Sequence, residues 1–249
     1  FGRLLEKAES IGCDFIATGH YARIDSNKEL YRIRESIDKA KDQSYVLFCL
    51  KQSQLKKSLL PIGELKKDNV RSKAKELGLD VYDKPDSQEI CFVPDNNYSD
   101  FIKKYRNINA QKGDIIDISG KVLGQHSGFW NFTIGQRRGL GIAAKNPLYV
   151  IKIIPEQNVI VAGGSKDVKA RRFLVKDVNW LVKGIKKKIE LEVKIRYNHK
   201  KSLAVIKDIG NKKVEVDFKD PQNAITPGQA AVFYDGEYVA GGGWIDKVL

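Results

Sequence analysis

The stretch "IELEVKIRY" alternates without a break. Ile189, Leu191, Val193, Ile195 and Tyr197 fall on one side, and Glu190, Glu192, Lys194 and Arg196 on the other. Only an extended strand sends successive side chains to opposite faces, so this segment reads as a strand with one buried and one wet face. "KVEVDF" repeats the pattern, and "AVFYDGEYVAGG" reads as a hairpin over Asp235-Gly236. From about Val168 the chain is strand after strand with regular turns, which predicts a small barrel or sandwich. That last third carries 17 Lys and Arg against 10 Asp and Glu, a net +7.

The beginning of the chain follows a different grammar. "FGRLLEKAESIG" places Leu4, Leu5, Ala8 and Ile11 on one helical face, and Gly12 ends it. "DFIATGHYA" reads as a buried strand running into a Gly-His turn, and "ELYRIRE" as a second strand. "KDQSYVLFCLKQSQLKKSLLPIGE" reads as a helix stopped by Pro61-Ile62-Gly63. "KKDNVRSKAKELGL" predicts a helix with Asp68 as N-cap, a Val70, Ala74, Leu77 stripe, and Gly78 as the stop. Helices alternating with short strands predict an open α/β sheet.

Between these parts, "DNNYSDFIKKY" reads as a short helix and "GDIIDISGKVLGQHSG" as a hairpin turning at Ser119-Gly120-Lys121. "PLYVIKIIPEQNVIVAGG" reads as a second hairpin, reversing at Pro155 to Asn158. The expected fold is therefore α/β over residues 1–93, a small α+β part over 94–167, and an all-β barrel over 168–249.

The 249 residues carry a formal net charge of +13, which suits a polyanionic partner but equally a lysine-rich surface. No apolar run approaches the roughly 20 residues of a membrane span. Three cysteines, 36 and 42 residues apart, form no disulfide framework and no C-x-x-C pair, as expected of a reduced cytoplasmic protein. The absence of methionine and the start at "FGRLLEKAES" suggest a piece of a longer protein. There is no G-x-x-x-x-G-K-[ST], H-E-x-x-H or G-x-S-x-G signature, and three scattered histidines point to no metal site.

Several stretches can be read two ways. In "ATGHYAR", a Thr-Gly-His turn at the carboxyl edge of a strand is where α/β folds bind ligands, and Gly19 would let one approach the backbone; a plain turn is the alternative. In "KDQSY", Asp42 is either a helix cap or part of a group facing an unstacked base. Cys13 and Cys49 read as small buried hydrophobes. Cys91, in "DSQEICF", is either packing or a nucleophile, and the nearby Asp86 and Glu89 would raise rather than lower its pKa. The glycines and the Arg137-Arg138 pair of "TIGQRRGLGI" suit either a phosphate cradle or a tight turn with solvated arginines.

Taken in order, "ATGHYAR", "KDQSYVL", "LPIGELKKDNVR", "DSQEICF", "TIGQRRGLGI" and "TPGQAAVFYDGEYVAGGG" closely resemble the bacterial tRNA-specific 2-thiouridylase family over the whole chain. The resemblance implies a PP-loop ATP-pyrophosphatase domain, a small central domain and a translation-factor-like barrel. It implies replacement of the carbon-2 oxygen of the wobble uridine by sulfur in the tRNAs for Lys, Glu and Gln. ATP, with Mg2+, would adenylylate the base, and a cysteine persulfide would then displace AMP. It implies tRNA as substrate, a sulfur-relay protein or cysteine desulfurase as persulfide donor, no membrane, and a monomer.

Residue by residue, Cys91 matches the persulfide-bearing cysteine and Gly19 the glycine contacting ATP. His20, Lys41, Asp42, Gln43, Arg196, Tyr197 and Gln229 match tRNA contacts, whereas Cys13 and Cys49 match no catalytic position. The family's S-G-G-x-D-S pyrophosphate loop and its other catalytic cysteine are absent from these residues, so the chain alone is expected to be inactive. The alternative from a different functional class is a non-catalytic RNA-binding module.

Overall fold

The computed structural model describes residues 1–27, 30–84, 93, 97–106, 111–183 and 187–249. It forms two compact units: residues 1–84 with 171–220 and 226–249, and residues 85–170 with 221–225. The α/β start of the chain and the barrel thus share one unit.

In that unit α1 (Gly2–Ser10) leads into β1 (Ile16–Ala17), which pairs in parallel with β4 (Ser58–Leu59). Between them lie β2 (Ala22–Ser26), β3 (Tyr31–Glu35) and α2 (Gln52–Lys56), and α3 (Lys67–Glu76) follows. α1 and α3 occur where the apolar spacing predicts them, but Leu4 and Ile11 stay exposed and Leu77 is 74% exposed. Asp68 sits in the first turn of α3 without capping it; Lys66 holds the N-cap position.

The helix expected from Lys41 onward does not form as one piece. A 3-10 turn covers Ser44–Leu47, and α2 starts only at Gln52. Tertiary bonds explain the break. Asn179 donates to the carbonyls of Phe48 (2.7 Å) and Leu50 (3.0 Å), and the Tyr45 hydroxyl donates to the carbonyl of Ala230 (2.9 Å). Carbonyls that a helix would use internally are taken by the barrel. Phe48 and Leu50 point inward as a result, while Val46 and Cys49 are exposed. Cys13, in the turn after Gly12, is exposed too. Neither cysteine is the buried hydrophobe expected.

The other unit holds α4 (Tyr98–Arg106), the hairpin of β5 (Gly113–Ile116) and β6 (Val122–His126), and the hairpin of β7 (Tyr149–Ile154) and β8 (Val159–Gly163). These strands form one sheet in the order β6-β5-β8-β7, with β5 and β8 parallel. Both turns fall where the turn residues place them. Ile115, Leu140, Val150, Ile160 and Ala162 form its core.

The last third is the predicted barrel: β9 (Lys169–Trp180), β10 (Lys188–Lys194), β11 (Ser202–Gly210), β12 (Lys213–Asn223), β13 (Ala230–Asp235) and β14 (Tyr238–Val248). Strand order β13-β10-β11-β12-β9-β14 closes through β13–β14 pairing, leaving no open edge within the ring. Leu191, Val193 and Ile195 point into it with Val214, Val216 and Phe218, as their alternation requires. β3 then adds to β14, with Tyr238 opposite Arg34, and β2 adds to β3. Gly242 on β14 lies against Phe48: a Cβ there would stand 2.7 Å from a Phe48 ring carbon and 2.9 Å from the Ala231 carbonyl.

Candidate functional site

Thr18, Gly19 and His20 form the turn between β1 and β2. Gly19 is exposed, and a Cβ added to it would meet only Ile62, at 3.9 Å. Internal crowding does not require a glycine here, so its effect is on the outside, where the bare backbone is open to close approach. His20 Nδ1 is 2.9 Å from the Thr18 hydroxyl, and its ring packs 5.6 Å from that of Phe1. Burial lowers the pKa of His20, which favours the neutral imidazole.

Gln43 ties this turn to the next segment. Its side-chain carbonyl accepts from the Tyr21 N–H (2.9 Å), and its own N–H donates to the Tyr21 carbonyl (2.7 Å). Asp42 is buried and faces inward. It accepts from the N–H of the fully buried Ser36 (2.9 Å), from the Ser44 hydroxyl (2.7 Å) and, at 3.4 Å, from the Ser44 N–H. The Ser44 hydroxyl lies 3.2 Å from that of Tyr234 in β13. Buried carboxylates are tolerated when their lone pairs are filled in this way. Lys41 is half-buried just before Asp42.

Arg196 and Tyr197 follow β10. The Tyr197 ring, 40% exposed, meets Tyr45 edge-on at 6.3 Å. The Lys194 ammonium lies 5.5 Å from the Tyr197 ring centre and 5.7 Å from that of Tyr45. Burial lowers the Lys194 pKa, and burial pushes the Tyr45 hydroxyl up to about 12. A pocket of about 200 Å3 is lined by Asp42, Lys39, Lys194, Tyr197, His199 and Lys200. His199 has a lowered pKa from burial and the adjacent Arg196, and its Nδ1 has no hydrogen-bond partner among the described residues. Gln229 is exposed at the entry to β13, one residue before the Ala230 carbonyl that Tyr45 holds.

The residues singled out in the first segment and in the barrel thus come together within one unit. Gln43 binds the backbone of Tyr21, next to His20; Tyr45, two residues further on, binds Ala230 at β13; and Asp42 shares a pocket with Tyr197. Lys194, His199 and Tyr45 were not singled out in the sequence. Lys194 was visible as a polar-face residue of its strand, but its place between two aromatic rings depends on a contact 149 residues away in sequence. Cys91 lies outside the described residues. Among the described residues no three His, Cys, Asp or Glu side chains gather where a metal ion could be held.

Three family models match successive parts of the chain. Residues 1–95 match a model described as the tRNA methyl transferase HUP domain. Residues 99–164 match the tRNA methyl transferase PRC-barrel domain, and residues 170–245 the aminomethyltransferase beta-barrel domain. Among whole proteins, the tRNA-specific 2-thiouridylase MnmA 1 of Caldanaerobacter subterraneus subsp. tengcongensis is 47% identical, across 99% of this chain and 69% of that protein. The chain belongs to the tRNA-specific 2-thiouridylase family. The MnmA proteins of Carboxydothermus hydrogenoformans (46% identical) and Rickettsia massiliae (47% identical) each match 100% of this chain and 69% of their own length. The fold is α/β, then a middle domain, then an all-β barrel, as the family resemblance implied. No helix among the described residues is long and apolar enough to cross a membrane.

Proposed function

We propose that this chain supplies the tRNA-holding and sulfur-delivering part of a wobble-uridine 2-thiolase acting on the tRNAs for Lys, Glu and Gln. The observation that carries the proposal is the linkage of the Thr18–His20 turn, through Gln43 and Tyr45, to β13 of a basic barrel. A base seated at the turn and an RNA backbone lying on the barrel would then be held by one rigid piece. Functionally, residues 1–93 form part of the catalytic domain, 94–167 a central domain and 168–249 the tRNA-binding barrel.

ATP supplies the adenylyl group that makes the carbon-2 oxygen a leaving group, a step that an unactivated urea-like carbonyl resists. Gly19 leaves room for the nucleotide to pass close to the backbone. His20, Lys41, Gln43, Arg196, Tyr197 and Gln229 contact the tRNA, which presents its target in an unpaired loop so that no duplex has to be opened. Asp42 contributes by fixing the segment from Ser36 to Ser44 rather than by touching RNA. The terminal sulfur of a Cys91 persulfide attacks carbon 2, and AMP leaves with the original oxygen. A second thiol, that of the other catalytic cysteine the family resemblance implies, then attacks Cys91 Sγ. The S–S bond to the transferred sulfur breaks, the sulfur stays on carbon 2, and a disulfide is left for external thiols to reduce. A sulfur-relay protein or cysteine desulfurase loads that persulfide.

The test is thiolation of tRNA for Lys with ATP and a persulfide donor. It uses the protein extended to include a pyrophosphate-binding loop and compares intact Cys91 with Cys91→Ser. Formation of 2-thiouridine only with the cysteine is expected. Binding without any cysteine-dependent thiolation would leave an RNA-binding module. The 249-residue chain by itself is expected to release no pyrophosphate from ATP, and release in the presence of tRNA would refute that point.

A further inference from the structure

Residues 137–148 form an arch whose shape is set from inside its own unit. At its start, the Gln136 side chain accepts from the Thr133 N–H (2.9 Å) and donates to the Arg138 carbonyl (2.9 Å). The Gln136 carbonyl accepts from the Val150 N–H (2.9 Å), closing the neck. Leu140 is buried in the core, and Ile142 and Leu148 pack on it, so the arch is nailed down at its middle and far end as well. Gly139 and Gly141 take positive φ (82° and 68°), a conformation that a side chain would strain. A rigid loop of this kind does not have to be ordered when a ligand arrives.

The arch borders an open concavity of about 560 Å3, whose lining includes Arg137, Gly139, Gly141, Lys145 and Asn146 and contains no carboxylate. Arg137, Arg138 and Lys145 are exposed, and none has an ion-pair partner among the described residues. None of the backbone N–H groups from Gly141 to Asn146 donates to an acceptor among the described residues. Uncommitted amides in a loop with alternating glycines, framed by cations and free of anions, form a concavity suited to an oxyanion. Solvated arginines on a plain turn would need neither the concavity nor a run of unused amides.

We propose that the 137–148 arch is a phosphate seat and that its occupant is a phosphodiester of the tRNA backbone, bound away from the base that is modified. The proposal rests on tRNA being the substrate. Its open, solvent-facing cations suit a polymer that passes over the arch and contributes one or two phosphates.

The experiment measures binding of tRNA for Lys to the 249-residue chain over a range of salt. It compares the unmodified chain, the R137A/K145A variant, and a K166A/K169A control with the same charge loss. Each lost phosphate contact lowers the slope of log affinity against log salt by roughly 0.7–0.9. The arch variant is expected to lose about 0.7–1.8 in slope and roughly 3–10-fold in affinity at moderate salt, with the control near the unmodified value. Amide NMR of residues 137–146 is followed on adding tRNA, inorganic pyrophosphate or ATP.

Shifts with tRNA at micromolar concentration, and with the small phosphates only at far higher concentration, support the assignment. Saturation by ATP or pyrophosphate with an unchanged tRNA slope would make this a free-phosphate site and overturn it. Equal slope losses in arch and control variants would also overturn it, as general electrostatics, while leaving tRNA as substrate intact. If the unmodified chain binds no tRNA at all, the substrate reading itself falls, and the proposal with it.

Discussion

Replacing Asp42 separates a positioning role from direct RNA contact. In Asp42→Ala the N–H of Ser36, which is fully buried, loses its acceptor, and such an orphaned donor costs about 1–3 kcal/mol. The Ser44 hydroxyl also loses its 2.7 Å bond but can turn to Tyr234, 3.2 Å away. Together these changes amount to roughly 2–4 kcal/mol, or about 4–16 °C in Tm for a chain of this size. Asp42→Asn is milder, at about 1 kcal/mol. Its amide oxygen still accepts from Ser36, and its NH2 finds the Ser44 oxygen. Thermal melts of both variants, with tRNA binding measured well below either transition, provide the assay. Binding by Asp42→Asn should stay within about threefold of the unmodified chain. A Tm change under about 2 °C in Asp42→Ala, combined with lost tRNA binding in Asp42→Asn, would refute the reasoning and turn the carboxylate outward as a contact.

Hydrogen bonds from Lys39 and Arg34 pull the Glu237 carboxyl down to about 2, below its ordinary 4.5. Its folded pKa is depressed, so the stability it contributes is present above about 4.5 and is lost as pH falls towards 2. Glu237→Gln should flatten that part of the stability–pH curve, and an unchanged curve would contradict the cluster. Burial lowers His20, so the folded state resists protonation and stability declines as pH falls below its ordinary 6.5. An imidazole NMR titration should have its midpoint below 6.5, and a midpoint at or above that value would show a solvated ring. Gly242→Ala drives a methyl against Phe48 and the Ala231 carbonyl and should cost about 1–3 kcal/mol. A Tm unchanged from the parent would mean that Phe48 is not held there.

The barrel was legible because its strands have one face in and one face out, and "IELEVKIRY" and "KVEVDF" carry that division residue by residue. The hairpin turns were legible through Gly120 and Asn158, both of which take the positive φ their positions demand. The stretch after Lys41 misled because "SYVLFCL" is apolar without a period, and the groups that decide its conformation, Asn179 and Ala230, lie far away in sequence. β2 was missed for a related reason. Arg23 and Asp25 make it look like surface, yet Arg23 is buried with its Nε donating to the Glu35 carbonyl (2.7 Å). The candidate site was readable as separate motifs. Their assembly, and the inward turn of Asp42, required the fold.

The addition of β3 to β14 joins Arg34 to Tyr238, residues 204 positions apart. During synthesis at about 5–20 residues per second, the β2–β3 hairpin would emerge roughly 10–40 s before the strand it pairs with. For that interval it has an unpaired edge, and Phe48 has no Gly242 to rest on. The opening segment therefore cannot mature in the order in which it is made. A ribosome that stalls anywhere before β14 leaves the β2–β3 hairpin and Phe48 without their partners, although both were made about 200 residues earlier.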